Sequence, residues 1–282
     1  MKLSIALIVK NEESCLDRCL NSVKDFDEIV VVDTGSTDKT KEIAKKYTDK
    51  IYDFEWCDDF AKARNFVADK CSGDWILSID ADHELLSTVE EVREWAIKAK
   101  EAGVMVAKVK AIWNKDSWFY RATLSKKGVK WTGEIHECLP ATDFLTDIKE
   151  QLYYSDSHKL DPDRNLRILL KAKPTQRTKF YLGREYFERK EYQKAIDCMT
   201  DYLKQATWVP EIGEAYLVIA QCFKGLNDWN MARHYCLYAI NVNPNFKEAL
   251  ILMSSLSYEE NAKKWKEFAN LADNSNVLFI RI

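Results

Sequence analysis

The chain has 282 residues, of which 46% are hydrophobic and 31% are charged, and its formal net charge is −3. This composition is typical of a globular protein with one large or two ordinary domains, and it argues against nucleic-acid binding driven by bulk charge. No stretch approaches 18 uninterrupted apolar residues, so the sequence predicts no membrane span.

The first half of the chain alternates short apolar runs with helical patterns. The β-branched runs predict strands, and apolar residues at helical spacing predict helices between them. Because the strand runs are apolar throughout, they predict a parallel sheet that is covered on both faces, with ligands bound beyond the carboxyl ends of its strands. The predicted strands are 5–9, 28–32, 50–54 and 75–79, and the predicted helices are 16–23, 40–47 and 60–70.

The segment GDWILSIDADHELL, residues 73–86, ends the fourth predicted strand in two aspartates, Asp80 and Asp82. Alternate residues of an extended chain point the same way, so the two carboxylates can converge on one divalent cation. Such a cation would supply the positive charge that two buried, mutually repelling carboxylates need. The competing interpretation is a solvated turn.

Other polar residues stand at equivalent positions. Asp33 ends the second predicted strand, where a carboxylate can chelate a ribose diol or accept an N–H of a base, and Ser36 or Thr37 is predicted to cap the next helix. Arg64, in the helix before the aspartate pair, could form an ion pair with a phosphate group. The simpler alternatives are a turn or cap residue for Asp33, a helix-surface ion pair for Arg64 and a solvated charge for Glu12.

From about residue 164 the apolar pattern changes to a period of 3.6 residues. Two helical segments align at an offset of 37 residues, which pairs Ala195 with Ala232 and Gly183 with Ala220. This offset is close to the 34 residues of tetratricopeptide repeats, in which small residues let paired helices cross closely. The predicted domains are therefore 1–163, an α/β domain, and 164–282, a helical repeat domain.

Three segments together resemble the family-2 glycosyltransferases with the GT-A fold: ALIVKNEESCLDRCLNSVKDFDEIVVVDTGSTDKTKEIAKKY, WCDDFAKARNF and GDWILSIDADH. They are most similar to the bacterial and phage-type branch that carries tetratricopeptide repeats behind the catalytic domain. That branch lies near the lipopolysaccharide-core glucosyltransferases and the enzymes that glycosylate peptide cysteines. The resemblance implies an α/β GT-A catalytic domain, Rossmann-like with a mostly parallel sheet, followed by an all-α tetratricopeptide-repeat domain.

The resemblance also implies a nucleotide-sugar donor, usually a UDP-sugar such as a UDP-hexose, and Mn²⁺ or Mg²⁺ as the cofactor. In the family's pattern, Glu12 and Asp33 contact the nucleoside and Arg64 lies by the nucleotide, while Asp80 and Asp82 serve the ribose and the metal ion.

The chain departs from the family's pattern at two positions. Many relatives have a second aspartate where this chain has Thr34, which puts the contact to the base in doubt. The branch usually reads D-x-D-E, whereas here His83 replaces that glutamate and Glu84 follows it. The sequence leaves open whether His83 adds a metal ligand or faces solvent.

The resemblance places the catalytic base in WTGEIHECL, residues 131–139, because relatives carry a similar G-x-x-H-E. Glu137 would take the proton of the acceptor in a one-step displacement that inverts the anomeric carbon, with Glu134 as the second choice. The alternative is that His136 and Glu137 orient a loop. GT-A enzymes commonly add a histidine ligand after this segment, and His158 stands at about that place, where it is otherwise a linker histidine.

These features predict a metal-dependent inverting glycosyltransferase that moves a sugar to an acceptor hydroxyl or thiol. The acceptor classes that remain open include peptide, protein, glycan and lipid-linked saccharide, and the repeats would hold the acceptor, a protein partner or a second copy. The alternative is a scaffold whose transferase domain has lost activity. A dinucleotide-dependent oxidoreductase is excluded, because IVKNEES lacks the glycines that a pyrophosphate-binding turn needs.

Cysteine usage and the N-terminal residues bear on the compartment. Eight cysteines are scattered without a C-x-x-C pair, which predicts reduced thiols, and four histidines give little support for a zinc site. The apolar run from Leu3 to Val9 is too short for a secretory signal. We therefore expect a cytoplasmic protein.

Overall fold

The computed structural model describes residues 1–115, 117–153 and 161–272. It divides into two compact units, Met1–Pro162 and Asp163–Ile282. No helix in these three ranges combines the length and the apolar character that crossing a bilayer requires. All eight cysteines are free thiols.

The first unit is built on one sheet of eight strands in the order β3-β2-β1-β4-β7-β6-β8-β5. Its described strand pairs comprise four parallel and three antiparallel pairs. The strands are β1 (Leu3–Val9), β2 (Glu28–Asp33), β3 (Ile51–Asp53), β4 (Trp75–Ser78), β5 (His83–Leu85), β6 (Val106–Asn114), β7 (Ser117–Lys126) and β8 (Leu145–Leu152). The helices are α1 (Leu16–Ser22), α2 (Thr40–Ala44), α3 (Phe60–Lys70) and α4 (Val89–Glu101).

The parallel half of the sheet is covered on both faces, as its uniformly apolar strands predict. Alternate residues of a strand point to opposite faces, so β1 and β2 contribute to two separate cores. Ile5 and Val31 pack in the core that contains residues of α1 and α4. Ala6 and Val30 pack in the core that contains residues of α3. The carboxyl ends of β1, β2 and β4 consequently meet at one edge of the sheet.

A buried glutamate holds the opposite ends of these strands together. The Glu28 carboxylate, at the start of β2, accepts hydrogen bonds from the Ser4 hydroxyl, the Lys50 ammonium, and both the backbone N–H (2.6 Å) and the hydroxyl (2.8 Å) of Ser72. Desolvation by itself raises the pKa of Glu28, but these donors outweigh it and lower the pKa to about 2. Charge-assisted hydrogen bonds thus fix the register of the strand starts.

The predicted cap of α2 is wrong. The helix begins only at Thr40, its N-cap residue Lys39 makes no side-chain cap hydrogen bond, and the Thr40 N–H donates to Asp38 Oδ1 at 3.0 Å. Ser36 and Thr37 instead bind the loop that follows β1: the Ser36 hydroxyl accepts from the Asn11 N–H at 2.9 Å, and the Thr37 N–H donates to the Asn11 side-chain oxygen at 2.8 Å. Asn11 has a φ of 56°, a left-handed conformation that asparagine tolerates and that turns its polar groups toward this second loop.

The second unit is a stack of antiparallel helices. Ala195, Ala220 and Ala232, which the repeat alignment selects, are fully buried. A Cβ atom on Gly183 would lie 2.8–3.0 Å from three side-chain atoms of the buried Met199, so glycine permits the close crossing. The helices are α5 (Arg164–Lys171), α6 (Gln176–Glu188), α7 (Tyr192–Leu203), α8 (Val209–Gly225), α9 (Trp229–Val242), α10 (Lys247–Leu256) and α11 (Glu259–Leu271).

Candidate active site

Two arginines bind the first aspartate of the predicted pair. Arg64 Nη2 donates to Asp80 Oδ1 at 2.7 Å, and Arg121 Nη2 donates to Asp80 Oδ2 at 2.7 Å. Arg64 comes from α3 and Arg121 from β7, so the two guanidinium groups reach Asp80 from different elements. The positive charge that the sequence analysis assigned to a cation is therefore supplied to Asp80 by the protein itself.

These contacts determine the charge states of the three side chains. Desolvation raises the pKa of the Asp80 carboxyl, but Arg64 and Arg121 overcome that effect and hold the pKa well below its usual value. Burial lowers the pKa of each guanidinium, while Asp80, together with Glu137 for Arg64 and Glu150 for Arg121, raises it above its usual value. All three groups are consequently ionised at neutral pH.

Residues of α3 hold the loop that contains the predicted base. Arg64 Nε donates to Glu137 Oε1, so one guanidinium binds both Asp80 and Glu137. The Asn65 amide oxygen accepts the Trp131 N–H at 2.9 Å, and its NH₂ donates to the Trp131 carbonyl at 3.0 Å. The Phe60 N–H donates to the Glu134 carbonyl at 2.8 Å. The loop and the aspartate segment are thereby fixed to one helix.

His83 lies in a second cluster beside the aspartates. It is 6% exposed, so it does not face solvent. Its Nδ1 atom lies 3.3 Å from Glu150 Oε2, and its Nε2 atom lies 3.6 Å from Asp82 Oδ1 and 3.8 Å from Asp80 Oδ2. Arg121 Nη1 lies 3.0 Å from Nδ1 and 3.5 Å from Glu150 Oε1. His83 therefore links the aspartate pair to a buried carboxylate on β8.

The chemistry of the donor atoms bears on the predicted cofactor. Beside the aspartate pair, His83 Nε2 lies 3.6 Å from Asp82 Oδ1 and 3.8 Å from Asp80 Oδ2. Carboxylate oxygens suit Mg²⁺ and Mn²⁺, and imidazole nitrogen binds transition metals. No three His, Cys, Asp or Glu side chains within the described ranges already surround one cation position. The residues fit an ion that takes most of its ligands from a bound phosphate group, as Mg²⁺ commonly does.

The predicted nucleoside contacts lie at the adjoining strand ends. Asp33 Oδ1 accepts the N–H groups of Gly35 (2.8 Å) and Ser36 (2.9 Å). Its Oδ2 atom is buried and has no hydrogen-bond partner in the part of the chain that the structure describes. An unpaired carboxylate oxygen is costly to bury, so a ligand donor such as a ribose hydroxyl or a base N–H would stabilise it. Glu12 is half-buried, and its N–H donates to Thr40 Oγ1 at 2.7 Å.

The structure thus brings Arg64, Asp80, Asp82 and Glu137 into one connected cluster. At the same edge of the sheet, Asp33 ends β2 and Glu12 lies in the loop after β1. His158 lies outside the described residues. The sequence analysis missed Arg121 and Glu150, because both lie in strands with no motif. Residues 146, 148 and 150 of β8 are buried, but two of them are the polar Thr146 and Glu150, so no polar–apolar alternation signals Glu150 in the sequence.

Comparison with known proteins agrees with this architecture. Residues 4–147, slightly more than half of the chain, match the family described as Glycosyl transferase family 2. The chain belongs to glycosyl transferase family 2. As the sequence predicts, an α/β domain is followed along the chain by an all-helical region.

Individual relatives share shorter regions. A TPR repeat-containing protein of Synechococcus elongatus is 48% identical over 86 residues, 30% of this chain and 21% of that protein. An uncharacterized glycosyltransferase of Rickettsia typhi is 40% identical over 95 residues, 33% of this chain and 32% of that protein. The SPbeta prophage-derived glycosyltransferase SunS of Bacillus subtilis is 43% identical over 84 residues, 29% of this chain and 20% of that protein. The chain thus covers between a fifth and a third of the length of these relatives.

Among solved structures, Staphylococcus aureus TarS in complex with UDP-GlcNAc is similar to 83% of this chain and 90% of its own, with 16% identity and a TM-score of 0.48.

Proposed function

We propose that the protein is a metal-dependent inverting glycosyltransferase that transfers a sugar, such as a hexose, from a UDP-sugar to an acceptor hydroxyl or thiol. Membership of the family supports the reaction class. The observation that carries the metal dependence is the grouping of Asp82, Asp80 and His83 after β4, where His83 Nε2 lies 3.6 Å from Asp82 Oδ1 and 3.8 Å from Asp80 Oδ2. The unpaired oxygen of Asp33 supports a nucleoside ligand beside them.

The aspartates at the sheet edge would bind the donor and the cation. Asp33 receives a hydrogen bond from the nucleoside, and Asp82, with Asp80 beside it, would hold the cation. When bound, the cation would neutralise the charge that develops on the departing diphosphate. His158, which the family resemblance selects, stays a candidate ligand. The proposed cofactor is Mn²⁺ or Mg²⁺.

Glu137 is the proposed base. Its carboxylate takes the proton of the acceptor while the acceptor oxygen or sulfur forms a bond to the anomeric carbon and the bond from that carbon to the diphosphate breaks. Attack from the face opposite the leaving group inverts the configuration of the anomeric carbon. Arg64 holds Glu137 and Asp80 at once, so it fixes the base relative to the donor-binding aspartates.

Thermal melting with Mn²⁺, with UDP and with both tests the proposal. We expect UDP to raise the melting temperature only when Mn²⁺ is present, because a ligand that binds only the folded state stabilises it. The Asp82→Asn variant should lose this joint stabilisation while retaining its fold. Asp69→Asn is the matched control, since Asp69 is exposed on α3 and pairs with Lys130.

The same measurement distinguishes the proposed enzyme from the alternative function, a scaffold that has lost transferase activity. That alternative is favoured by the lack, among the described residues, of three side chains already arranged around a cation. A wild-type protein that is indifferent to every member of a panel of nucleotides, with and without Mn²⁺, would favour the scaffold over the enzyme. If UDP and Mn²⁺ together stabilise the protein, the next experiment is to identify the substrates. Mass spectrometry would detect the products formed with a panel of UDP-sugars and candidate peptide, protein, glycan and lipid-linked acceptors.

A further inference from the structure

We infer that His83 is a nitrogen ligand of the divalent cation, paired with Asp82, and that Glu150 orients its imidazole ring. The inference rests on the proposed function, because it assigns ligands to the cation which that function requires. It adds to the site a residue that stands where the family's pattern has a glutamate, and it removes Asp80 from direct contact with the cation.

The orientation of the His83 ring follows from the position of Arg121. Arg121 Nη1 lies 3.0 Å from Nδ1 and 3.4 Å from Nε2 of the same ring. These two nitrogens direct their in-plane bonds away from each other, so one atom that is close to both lies over the ring face. Arg121 therefore stacks on the imidazole, and the in-plane position of each nitrogen is left to other groups.

Glu150 fills the in-plane position of one nitrogen. Its Oε2 atom lies 3.3 Å from His83 Nδ1, and its side chain is 1% exposed. The two residues come from the antiparallel pair β5–β8, in which Leu85 is opposite Glu150, so His83 and Glu150 are diagonal neighbours on one face. A carboxylate that accepts the Nδ1 proton leaves the Nε2 lone pair for a metal ion, as in the carboxylate–histidine pairs of metalloproteins.

The second nitrogen of His83, Nε2, lies near carboxylate oxygens at a distance close to that between two ligands of one cation. His83 Nε2 lies 3.6 Å from Asp82 Oδ1, a separation longer than a hydrogen bond. Ligands that bind one cation at about 2.1 Å lie roughly 3.0–3.5 Å from each other, so a shift of a few tenths of an ångström completes the pair. His83 is buried, and its Nε2 atom lies beside this gap.

Asp80 is less suited to direct ligation. Each of its two oxygens accepts a guanidinium N–H at 2.7 Å, from Arg64 and from Arg121. A cation at either oxygen would compete with one of these charge-assisted hydrogen bonds and approach a guanidinium group of like charge. Among the described residues, Asp82 and His83 therefore remain as the protein ligands, and the oxygens of a diphosphate would complete the coordination.

Pulsed electron paramagnetic resonance of the full chain with Mn²⁺ and UDP tests the inference, because electron spin-echo envelope modulation detects nitrogen bound directly to Mn²⁺. We expect a nitrogen modulation in the wild type that changes when the histidines carry ¹⁵N, and that disappears in His83→Gln. The matched control is His234→Gln, on an exposed histidine of α9, which should retain the modulation. Circular dichroism checks that both variants fold.

A second variant keeps the inference falsifiable if His83→Gln does not fold. Glu150→Gln retains His83 and should retain the nitrogen modulation, but it should weaken Mn²⁺ binding in the presence of UDP by about 10- to 100-fold. Unchanged Mn²⁺ affinity in Glu150→Gln would overturn the role of Glu150. Bound Mn²⁺ without nitrogen modulation in the wild type, or with modulation that persists in folded His83→Gln, would overturn the role of His83 and leave the proposed function standing. Failure of Mn²⁺ and UDP to bind together would instead refute both.

Discussion

Glu137 and Glu134 lie in the same loop but are held in different ways. The Glu137 side chain pairs with Arg64, whereas Glu134 contacts α3 through its backbone carbonyl. Only Glu137 therefore has its carboxylate joined to the aspartate that adjoins the donor site. This difference supports Glu137 as the base rather than the second choice made from the sequence.

The two glutamates provide a matched test of the base. We expect Glu137→Gln to bind UDP with Mn²⁺ as the wild type does and to lower the transfer rate by about 10²–10⁴-fold, because an amide cannot take the acceptor proton. Glu134→Gln should transfer normally. Rates of UDP release with a defined acceptor measure both. Loss of transfer in Glu134→Gln alone would show that Glu134 is the base. Normal transfer in both variants would show that neither glutamate takes the acceptor proton.

Glu28 gives a prediction about stability and pH. Its pKa in the folded protein is about 2, below the usual value of 4.5, so its contribution to stability is fully present above about pH 4.5 and is lost as the pH falls toward 2. We expect Glu28→Gln to lower the free energy of unfolding by roughly 2–3 kcal/mol at pH 7. The gap from the wild type should narrow below pH 4.5.

Urea denaturation at pH 7 and at pH 3 measures this effect. Glu94→Gln, on an exposed residue of α4, is the control and should match the wild type at both values. A gap between Glu28→Gln and the wild type that stays constant from pH 7 to pH 3 would show that the charge of Glu28 does not stabilise the strand starts.

At the scale of elements, two glycines in the helical unit meet different surroundings. A Cβ atom on Gly183 of α6 would clash with Met199, whereas a Cβ atom on Gly213 of α8 would lie 3.5–3.7 Å from side-chain atoms of Val242 and Phe246, an ordinary contact. Alanine is favoured over glycine inside a helix by about 0.5–1 kcal/mol. The same substitution should therefore have opposite effects at the two positions.

We expect Gly183→Ala to destabilise the protein by roughly 1–3 kcal/mol, as overpacking does, and Gly213→Ala to stabilise it by about 0.5–1 kcal/mol. Differential scanning calorimetry of both variants measures the shifts. Equal shifts of the same sign would mean that α6 and α7 can separate without cost, and that Gly183 is not needed for their crossing.

The elements also show how much a sequence can predict. The predicted bounds of α3 agree with the structure, and the strands β1, β2 and β4 differ by two residues or fewer at each end. Their signals are local: apolar runs, helical spacing and the turn residues between them. The pairing of β5 with β8 is not local, since His83 is opposite Leu152, and the polar residues of β8 carry no local signature.

The residues of the candidate site also fall into two groups, those that the sequence predicts and those that only the structure reveals. Asp80, Asp82, Arg64 and Glu137 lie in segments that resemble the family, so the sequence selects them. Arg121 and Glu150 contribute a cation and a buried carboxylate from β7 and β8, and only the folded sheet brings them to His83. From the sequence, the aspartate pair is expected to need an outside positive charge. Arg121, which supplies one, is 41 residues from Asp80, so local sequence does not reveal the contact.

On the scale of the molecule, each of the two units contains hydrophobic cores of its own. The described cores of the sheet domain contain only residues below 150, and those of the helical domain contain only residues above 216. A domain with its own core can fold alone. We therefore expect a fragment that ends at Pro162 to fold and to retain its joint stabilisation by UDP and Mn²⁺.

Circular dichroism and thermal melting of the fragment check this expectation, with the Asp82→Asn fragment as the control that should not respond to UDP. A folded fragment that ignores UDP and Mn²⁺, when the full chain responds, would show that residues after 162 complete the donor site. An unfolded fragment would show that the sheet domain depends on the helical unit for stability.

The single guanidinium of Arg64 has a consequence for any attempt to re-engineer this protein. One rigid, planar group spans the carboxylate of Asp80 and that of Glu137, so its width fixes their spacing. Lysine has one charged nitrogen and no second arm, and it cannot hold both carboxylates in the same way. A substitution that shifts Asp80 must therefore shift Glu137 with it, or break one of the two pairs with Arg64.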